Sequence, residues 1–148
     1  MQKLVMFNGP PRAGKDTAGK ICQEFLGENM TLTKFTTAVK DYAHETLGLN
    51  CSSDFYEALK DVKLKEFNGL TPREYYISTS EMLRAVDIEA VSKMLLELLP
   101  DIKTDYVINT DVGMDYEAQG LADYFGAENC LLVRINRDGK SFENDCRT

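Results

Sequence analysis

A chain of 148 residues, 43% apolar and 28% charged, has the make-up of one ordinary globular domain with room for a real core. Its formal net charge of −7 argues against a polymeric nucleic-acid partner, which an acidic surface would repel. No stretch approaches the apolar length of a membrane span, and the N-terminus lacks the form of a signal peptide.

In chain order, residues 3–8 (Lys-Leu-Val-Met-Phe-Asn) read as a buried strand. Gly9-Pro10-Pro11-Arg12-Ala13-Gly14-Lys15-Asp16-Thr17 then matches G-x-x-x-x-G-K, and Ala18, Ile21, Cys22 and Phe25 follow with the i, i+3, i+4, i+7 spacing of a helix. Strand, glycine loop and helix are what a phosphate-binding P-loop requires. The loop amides and the free N–H groups of the helix N-terminus converge where the helix dipole also favours an anion. Lys15 adds a mobile positive charge over the β- and γ-phosphates, so a nucleoside triphosphate is the expected ligand. The usual Ser or Thr after the lysine is replaced by Asp16. Asp16 has two readings: a hard oxygen ligand for Mg²⁺, direct or through water, or a negative charge that stabilises a helix N-terminus. Thr17 is the reserve hydroxyl.

Gly27 ends the first helix, and residues 30–35 alternate as a second strand. A helix is expected over residues 37–47, a break at 49–53, and a charged helix over 54–66 with Phe55, Leu59, Val62 and Phe67 inward. Thr71-Pro72-Arg73-Glu74 is a capping box with proline at the first helical position, opening a helix towards Asp87. Val91, Met94, Leu95, Leu98 and Leu99 mark another helix that stops at Pro100. Residues 106–110 read as a strand, Ala118 to Phe125 as a helix ended by Gly126, and residues 130–135 as a last strand. The alternation predicts an α/β fold, with a parallel helix-flanked sheet and the ligand at the strands' C-terminal ends. Asp111, ending an apolar strand, is expected to place Mg²⁺ or its waters, or else to open an ordinary turn. Cys22, Cys51, Cys130 and Cys146 lack C-x-x-C spacing and read as reduced thiols of a cytosol-like compartment. His44, the single histidine, excludes histidine-based triads and reads as a surface or helix-packing residue.

The segment Arg12 to Thr17, Arg-x-Gly-Lys-Asp-Thr, resembles the P-loop of phage-type deoxynucleoside monophosphate kinases, relatives of the adenylate kinases. Three further stretches follow in the same order: Phe35 to Lys40; Thr71 to Glu74 with Glu81 and Arg84; and Thr110-Asp111-Val112 with Glu117-Ala118, then Val133 to Arg137. The resemblance thus covers most of the chain, although only its P-loop part is specific by itself. It implies a three-layer P-loop NTPase fold over residues 1–148, with a helical acceptor-side region inserted at about 37–100. It implies transfer of the ATP γ-phosphate to a (deoxy)nucleoside monophosphate with Mg²⁺, in the nucleotide metabolism of a phage. The expected location is the cytoplasm, and the expected partners are nucleotides, with a homodimer as the one protein partner allowed. Two departures stand out: Thr79 where the family has glycine, and Gly113 where it has a phosphate-binding arginine. The family also continues beyond the arginine-bearing strand, so the fold is read as compact or C-terminally shortened, or the activity as lost.

Phosphoryl transfer is positioning and charge neutralisation, so several cations must converge on the phosphates. Gly9, Arg12, Ala13, Gly14, Lys15, Asp16 and Thr17 are assigned to ATP, and Asp16, Thr17 and Asp111 to the metal. Lys40, Arg73, Glu81, Arg84 and Arg134 are assigned to the acceptor, while Lys15, Asp111 and the lid arginine Arg137 serve the chemistry. Asp138-Gly139 beyond Arg137 reads equally as a plain turn. Arg73 and Arg84 share one face of a helix, roughly 16 Å apart if it is unbroken, so either the helix breaks near residues 78–80 or only one holds the acceptor phosphate. Arg84 is the expected one, with Glu81 a turn earlier orienting it or the sugar and Arg73 nearer the entrance. Taken singly, each arginine reads first as a surface salt bridge, worth little. The set in this order reads as a phosphate site. Without transfer activity the same residues describe a nucleotide-binding regulatory or scavenging protein. With other acceptors they describe another small-molecule kinase, and without any acceptor a P-loop NTPase.

Overall fold

The computed structural model describes residues 1–143; Cys146 lies outside them. Among the described residues, the strands Lys3–Asn8 (β1), Met30–Thr33 (β2), Tyr106–Asn109 (β3) and Cys130–Arg134 (β4) form one all-parallel sheet in the order β2-β3-β1-β4. The helices are Lys15–Leu26 (α1), Phe35–Leu47 (α2), Pro72–Val86 (α3), Ala90–Leu98 (α4) and Asp115–Phe125 (α5). The chain divides into two compact units, one of Met1–Lys34 with Leu95–Thr148 and one of Phe35–Met94. No helix among the described residues is long and apolar enough to cross a membrane.

The first unit carries the sheet. Because side chains alternate along a strand, Val5 and Phe7 share one face of β1 and Leu4 and Met6 the other. The parallel register sets Val5 beside Ile108 and Phe7 beside Val133. On that face Phe7, Met30 and Ile108 form a cluster closed by Ala18, Cys22 and Leu26, the inner stripe of α1. Leu4, Met6 and Val107 on the opposite face are equally buried, and α5 packs against β1 with Leu121 fully enclosed. Right-handed crossovers account for both sides. The β1-to-β2 connection runs one way across β3, and the β3-to-β4 connection runs the other way across β1, so α1 and α5 cover opposite faces. At the edge, Leu131 and Leu132 of β4 are 57% and 54% exposed.

The second unit is helical. Its capping box forms as the sequence indicates: the Thr71 hydroxyl accepts from the Glu74 amide and the Glu74 carboxylate from the Thr71 amide. No long helix forms over residues 54–66. Two short 3-10 turns, Ser53–Leu59 and Lys65–Phe67, take its place. Asn68 and Gly69 adopt left-handed backbone (φ 57° and 81°), and the Leu64 amide donates to the Leu70 carbonyl at 3.0 Å, closing a small loop. Helical periodicity is lost there, so Tyr56 and Phe67 are buried while Phe55 is 66% and Val62 47% exposed. His44 sits among the rings of Tyr56, Phe67 and Tyr76. Its Nδ1 lies 2.9 Å from the Cys51 carbonyl, which only accepts, so Nδ1 carries the proton and Nε2 accepts from the Tyr76 hydroxyl at 2.7 Å. Burial first, then nearby negative groups, pushes the Tyr76 hydroxyl up to about 12, keeping it a donor. Cys22, Cys51 and Cys130 are free thiols.

Candidate functional site

Residues 9–14, the G-x-x-x-x-G stretch, leave β1, the sheet's inner strand, and lead into α1 at Lys15. Pro10 and Ala13 close a turn, the Ala13 amide donating to the Pro10 carbonyl at 3.2 Å. Arg12 (φ 62°) and Gly14 (φ 111°) then adopt left-handed backbone; glycine does so freely, whereas arginine is strained there. Gly14 is the N-cap of α1 and offers no side chain to its amides. Gly9 has no room for a side chain: a Cβ there would stand 2.7 Å from the Ile135 carbonyl oxygen.

Lys15 folds back, its ammonium donating to the carbonyls of Gly9 at 2.7 Å and Pro10 at 3.0 Å. Asp16 accepts on Oδ1 from the Lys34 ammonium at 2.6 Å and the Thr110 hydroxyl at 3.3 Å. Burial alone would raise the Asp16 carboxyl. The bond to Lys34 and its charge, then the Thr110 hydroxyl and the Lys15 charge, outweigh that and hold it below the ordinary aspartate range. It is therefore an anion at neutral pH. Thr17, one residue on, is exposed. Gly19 allows the close approach of α1, since a Cβ there would meet Thr110 Cγ2 at 2.7 Å.

The ends of the neighbouring strands are stitched by polar side chains. Asn8 Nδ2 donates to the Val112 carbonyl at 2.9 Å, tying the exit of β1 to the loop after β3. Buried Asn109 accepts from the Asp111 amide at 3.1 Å and its amide group donates to Thr33 at 3.4 Å. Buried Glu117 accepts from the Gly113 and Met114 amides at 2.8 and 3.0 Å. The half-buried Asp111 is thus held, through its backbone, one residue beyond the hydroxyl that bonds Asp16. Past β4, Arg137 donates to the Arg12 carbonyl at 3.3 Å, so its guanidinium lies beside the glycine loop, while Arg134 is exposed at the strand end. Within a chain of net charge −7, Arg12, Lys15, Lys34 and Arg137 all border this one loop.

Asp16, Thr17 and Asp111 supply hard oxygen donors of the type Mg²⁺ prefers, and Thr110 already links the two carboxylate-bearing segments. Among the described residues, no group of three or more His, Cys, Asp or Glu side chains could hold a metal ion. One or two carboxylates beside a cation that keeps most of its waters is the arrangement Mg²⁺ commonly takes.

The other candidates lie in the second unit. Lys40 stands 5.6 Å over the Tyr76 ring. Arg73 makes a two-pronged ion pair with Asp61 at 2.7 and 3.3 Å. α3 runs unbroken from Pro72 to Val86, and Thr79 bonds back to the Tyr75 carbonyl of the same helix at 2.8 Å. Arg73 and Arg84 are thus three turns apart on one rod, about 16 Å, and do not meet at a single phosphate. Arg84 is half-buried in the last turn, one turn beyond exposed Glu81.

Sequence reasoning passed over Asn8, Thr33, Lys34, Asn109 and Thr110. One signal was available: β1, β2 and β3 end on the polar residues Asn8, Thr33 and Asn109, at the sheet end where open α/β sheets bind ligands. No protein-family model matches the chain, and no curated protein matches it at a significant level.

Proposed function

We propose that the chain is a P-loop nucleoside monophosphate kinase, acting in the cytoplasm on small nucleotides. The observation that carries this reading is the G-x-x-x-x-G-K loop between inner strand β1 and α1, with Asp111 ending the adjacent strand β3. Because α1 and α5 leave β1 and β3 towards opposite faces, the crevice at those two strand ends is the switch point where open α/β sheets bind ligands. The order β2-β3-β1-β4 and the helices on both faces support the three-layer P-loop arrangement. In this reading the loop amides and Lys15 bind the ATP phosphates, and Arg12 borders them. Asp16, Thr17 and Asp111 would hold Mg²⁺, which would neutralise charge on the β- and γ-phosphates. Lys40, Arg84 and Glu81 hold the acceptor monophosphate. An acceptor phosphate oxygen bonds to the γ-phosphorus, the bond to the β-bridging oxygen breaks, and ADP leaves. Arg137, beside the loop, stabilises charge in transit. No general base is needed, because the acceptor is already anionic.

The deciding experiment is a coupled assay of ATP with each nucleoside monophosphate and deoxynucleoside monophosphate in turn, scoring ADP and diphosphate product. ADP release that ignores the acceptor overturns the kinase reading in favour of an NTPase. Tight ATP binding without ADP overturns it in favour of a binding protein.

Two substitutions probe the assignments. Asp16→Asn and Asp111→Asn each remove a charged oxygen from beside a hard cation and are expected to raise the Mg²⁺ concentration needed for half-maximal transfer, with ATP affinity less affected. Superimposable Mg²⁺ titrations return both residues to helix-cap and turn roles. Arg84→Ala is expected to raise the acceptor KM about ten- to a hundredfold, the loss of a charge-assisted contact, with the ATP KM little changed. Arg73→Ala costs less, since α3 is continuous and Asp61 already engages that guanidinium. A shift confined to the ATP KM in Arg84→Ala moves the acceptor site elsewhere.

A further inference from the structure

The Lys34 ammonium stands where the phosphate reading expects a metal-facing carboxylate to be open. Lys34 follows the last residue of β2, and its Nζ lies 2.6 Å from Asp16 Oδ1, the oxygen that also accepts from Thr110. The pair is half in solvent, with side chains 31% and 68% exposed, so it exchanges readily. β2 lies beside β3 and β3 beside β1, so Lys34 joins the strand ends that border the P-loop. Lys15 is likewise turned inward, onto the Gly9 and Pro10 carbonyls. Two ammonium groups at the loop are thus satisfied by the protein's own oxygens, and a polyphosphate offers better anions to both.

We propose that Lys34 occupies the cation position at Asp16 in the nucleotide-free protein and yields it to a divalent metal only when phosphate oxygens arrive to take its ammonium in exchange. The inference rests on the loop being a nucleotide site. A metal arriving alone must break the Asp16–Lys34 pair and leave the ammonium without an anion. A metal arriving with nucleotide exchanges one pair for two. Metal and nucleotide therefore favour each other's entry, and free Mg²⁺ fills the site several-fold less readily than it would without Lys34. By linkage, the factor by which nucleotide tightens metal binding equals the factor by which metal tightens nucleotide binding. Lys34 is a positioning residue that acts through Asp16.

The test uses the full chain and Mn²⁺, counted from the free-ion signal in electron paramagnetic resonance, with and without a non-hydrolysable fluorescent ATP analogue. Lys34→Gln is expected to bind Mn²⁺ alone about three- to tenfold more tightly than wild type, the scale of a half-exposed ion pair. Its coupling between Mn²⁺ and the analogue shrinks by a similar factor. Lys34→Arg, which keeps the charge, stays close to wild type, and Asp16→Asn in the Lys34→Gln background removes the gain. Thermal melts confirm that each variant is folded. An unchanged Mn²⁺ titration in Lys34→Gln overturns the proposal, as does a gain that survives Asp16→Asn. Both results leave the nucleotide site standing, provided wild type binds the analogue. Failure of wild type to bind the analogue at all removes the nucleotide reading and the exchange with it.

Discussion

Lys15→Ala is expected to lower ATP-dependent phosphate transfer by at least about a hundredfold, the scale of removing one preorganised charge donor from a developing phosphate anion. The fold should survive. The ammonium donates to two loop carbonyls, at 2.7 and 3.0 Å, and their loss at a half-exposed loop costs about 1 kcal/mol. For a chain of this size that is a fall in Tm of about 2–4 °C. Lys15→Arg should not restore transfer, because a planar guanidinium does not replace a compact ammonium within a closed loop. Single-turnover transfer and a thermal melt on the same preparation separate the two effects. If transfer in Lys15→Ala stays near wild type with the same Mg²⁺ dependence, the P-loop assignment fails.

Gly9→Ala should damage both stability and nucleotide binding. The added Cβ stands 2.7 Å from the Ile135 carbonyl oxygen, 3.4 Å from Ile135 Cβ and 3.5 Å from Ala13 Cβ. The carbonyl has little freedom to retreat, because the Ile135 amide is itself bonded to the Asn8 carbonyl at 2.7 Å and β4 is in register with β1 up to Arg134. One of the two strand exits must move. Overpacking of this kind costs about 1–3 kcal/mol, a Tm lower by roughly 3–10 °C. In the proposed kinase the same displacement would move the loop amides off the phosphates, where an error near 1 Å lowers the transfer rate by about two powers of ten. Gly120→Ala is the contrast. It lies inside α5, its Cβ would meet only Leu96 Cδ1 at 3.7 Å, and it should gain about 0.5–1 kcal/mol. Equal melts for the two variants would show that the contact at Gly9 relaxes without consequence.

What the sequence made legible was local. The turn of residues 9–14 between β1 and α1 is visible because its glycines answer to backbone geometry within nine residues, and the Thr71–Glu74 cap because its partners are three residues apart. The inner strands are visible because both faces are buried, which forces continuous apolar runs. The stretch at 53–67 was not. Phe55, Leu59 and Val62 keep helical spacing, but burial there is decided by His44 and Tyr76, which are distant in sequence and enclose Tyr56 and Phe67 instead. In the candidate site, Asn8 meets Val112 and Thr110 meets Asp16 across about a hundred residues, contacts that no local period encodes. Lys34 escaped notice because a lysine after a strand reads as a solvated charge until Asp16 is found beside it.

The edge strand β4 also sets a clock. Along a parallel strand, successive backbone N–H groups point alternately to the two neighbours. The Ile135 amide reaches inward to the Asn8 carbonyl, so the amides of Leu131 and Val133 point inward too, and those of Leu132 and Arg134 point outward. Deuterium uptake should therefore alternate residue by residue, with Leu132 and Arg134 filling quickly and Leu131 and Val133 only as fast as the sheet opens. Uniform slow uptake along all four amides would mean that the outer rim of β4 is covered in solution. With the alternation intact, the slow members report how often β4 separates from β1, and so how long the Ile135 carbonyl remains closed over Gly9.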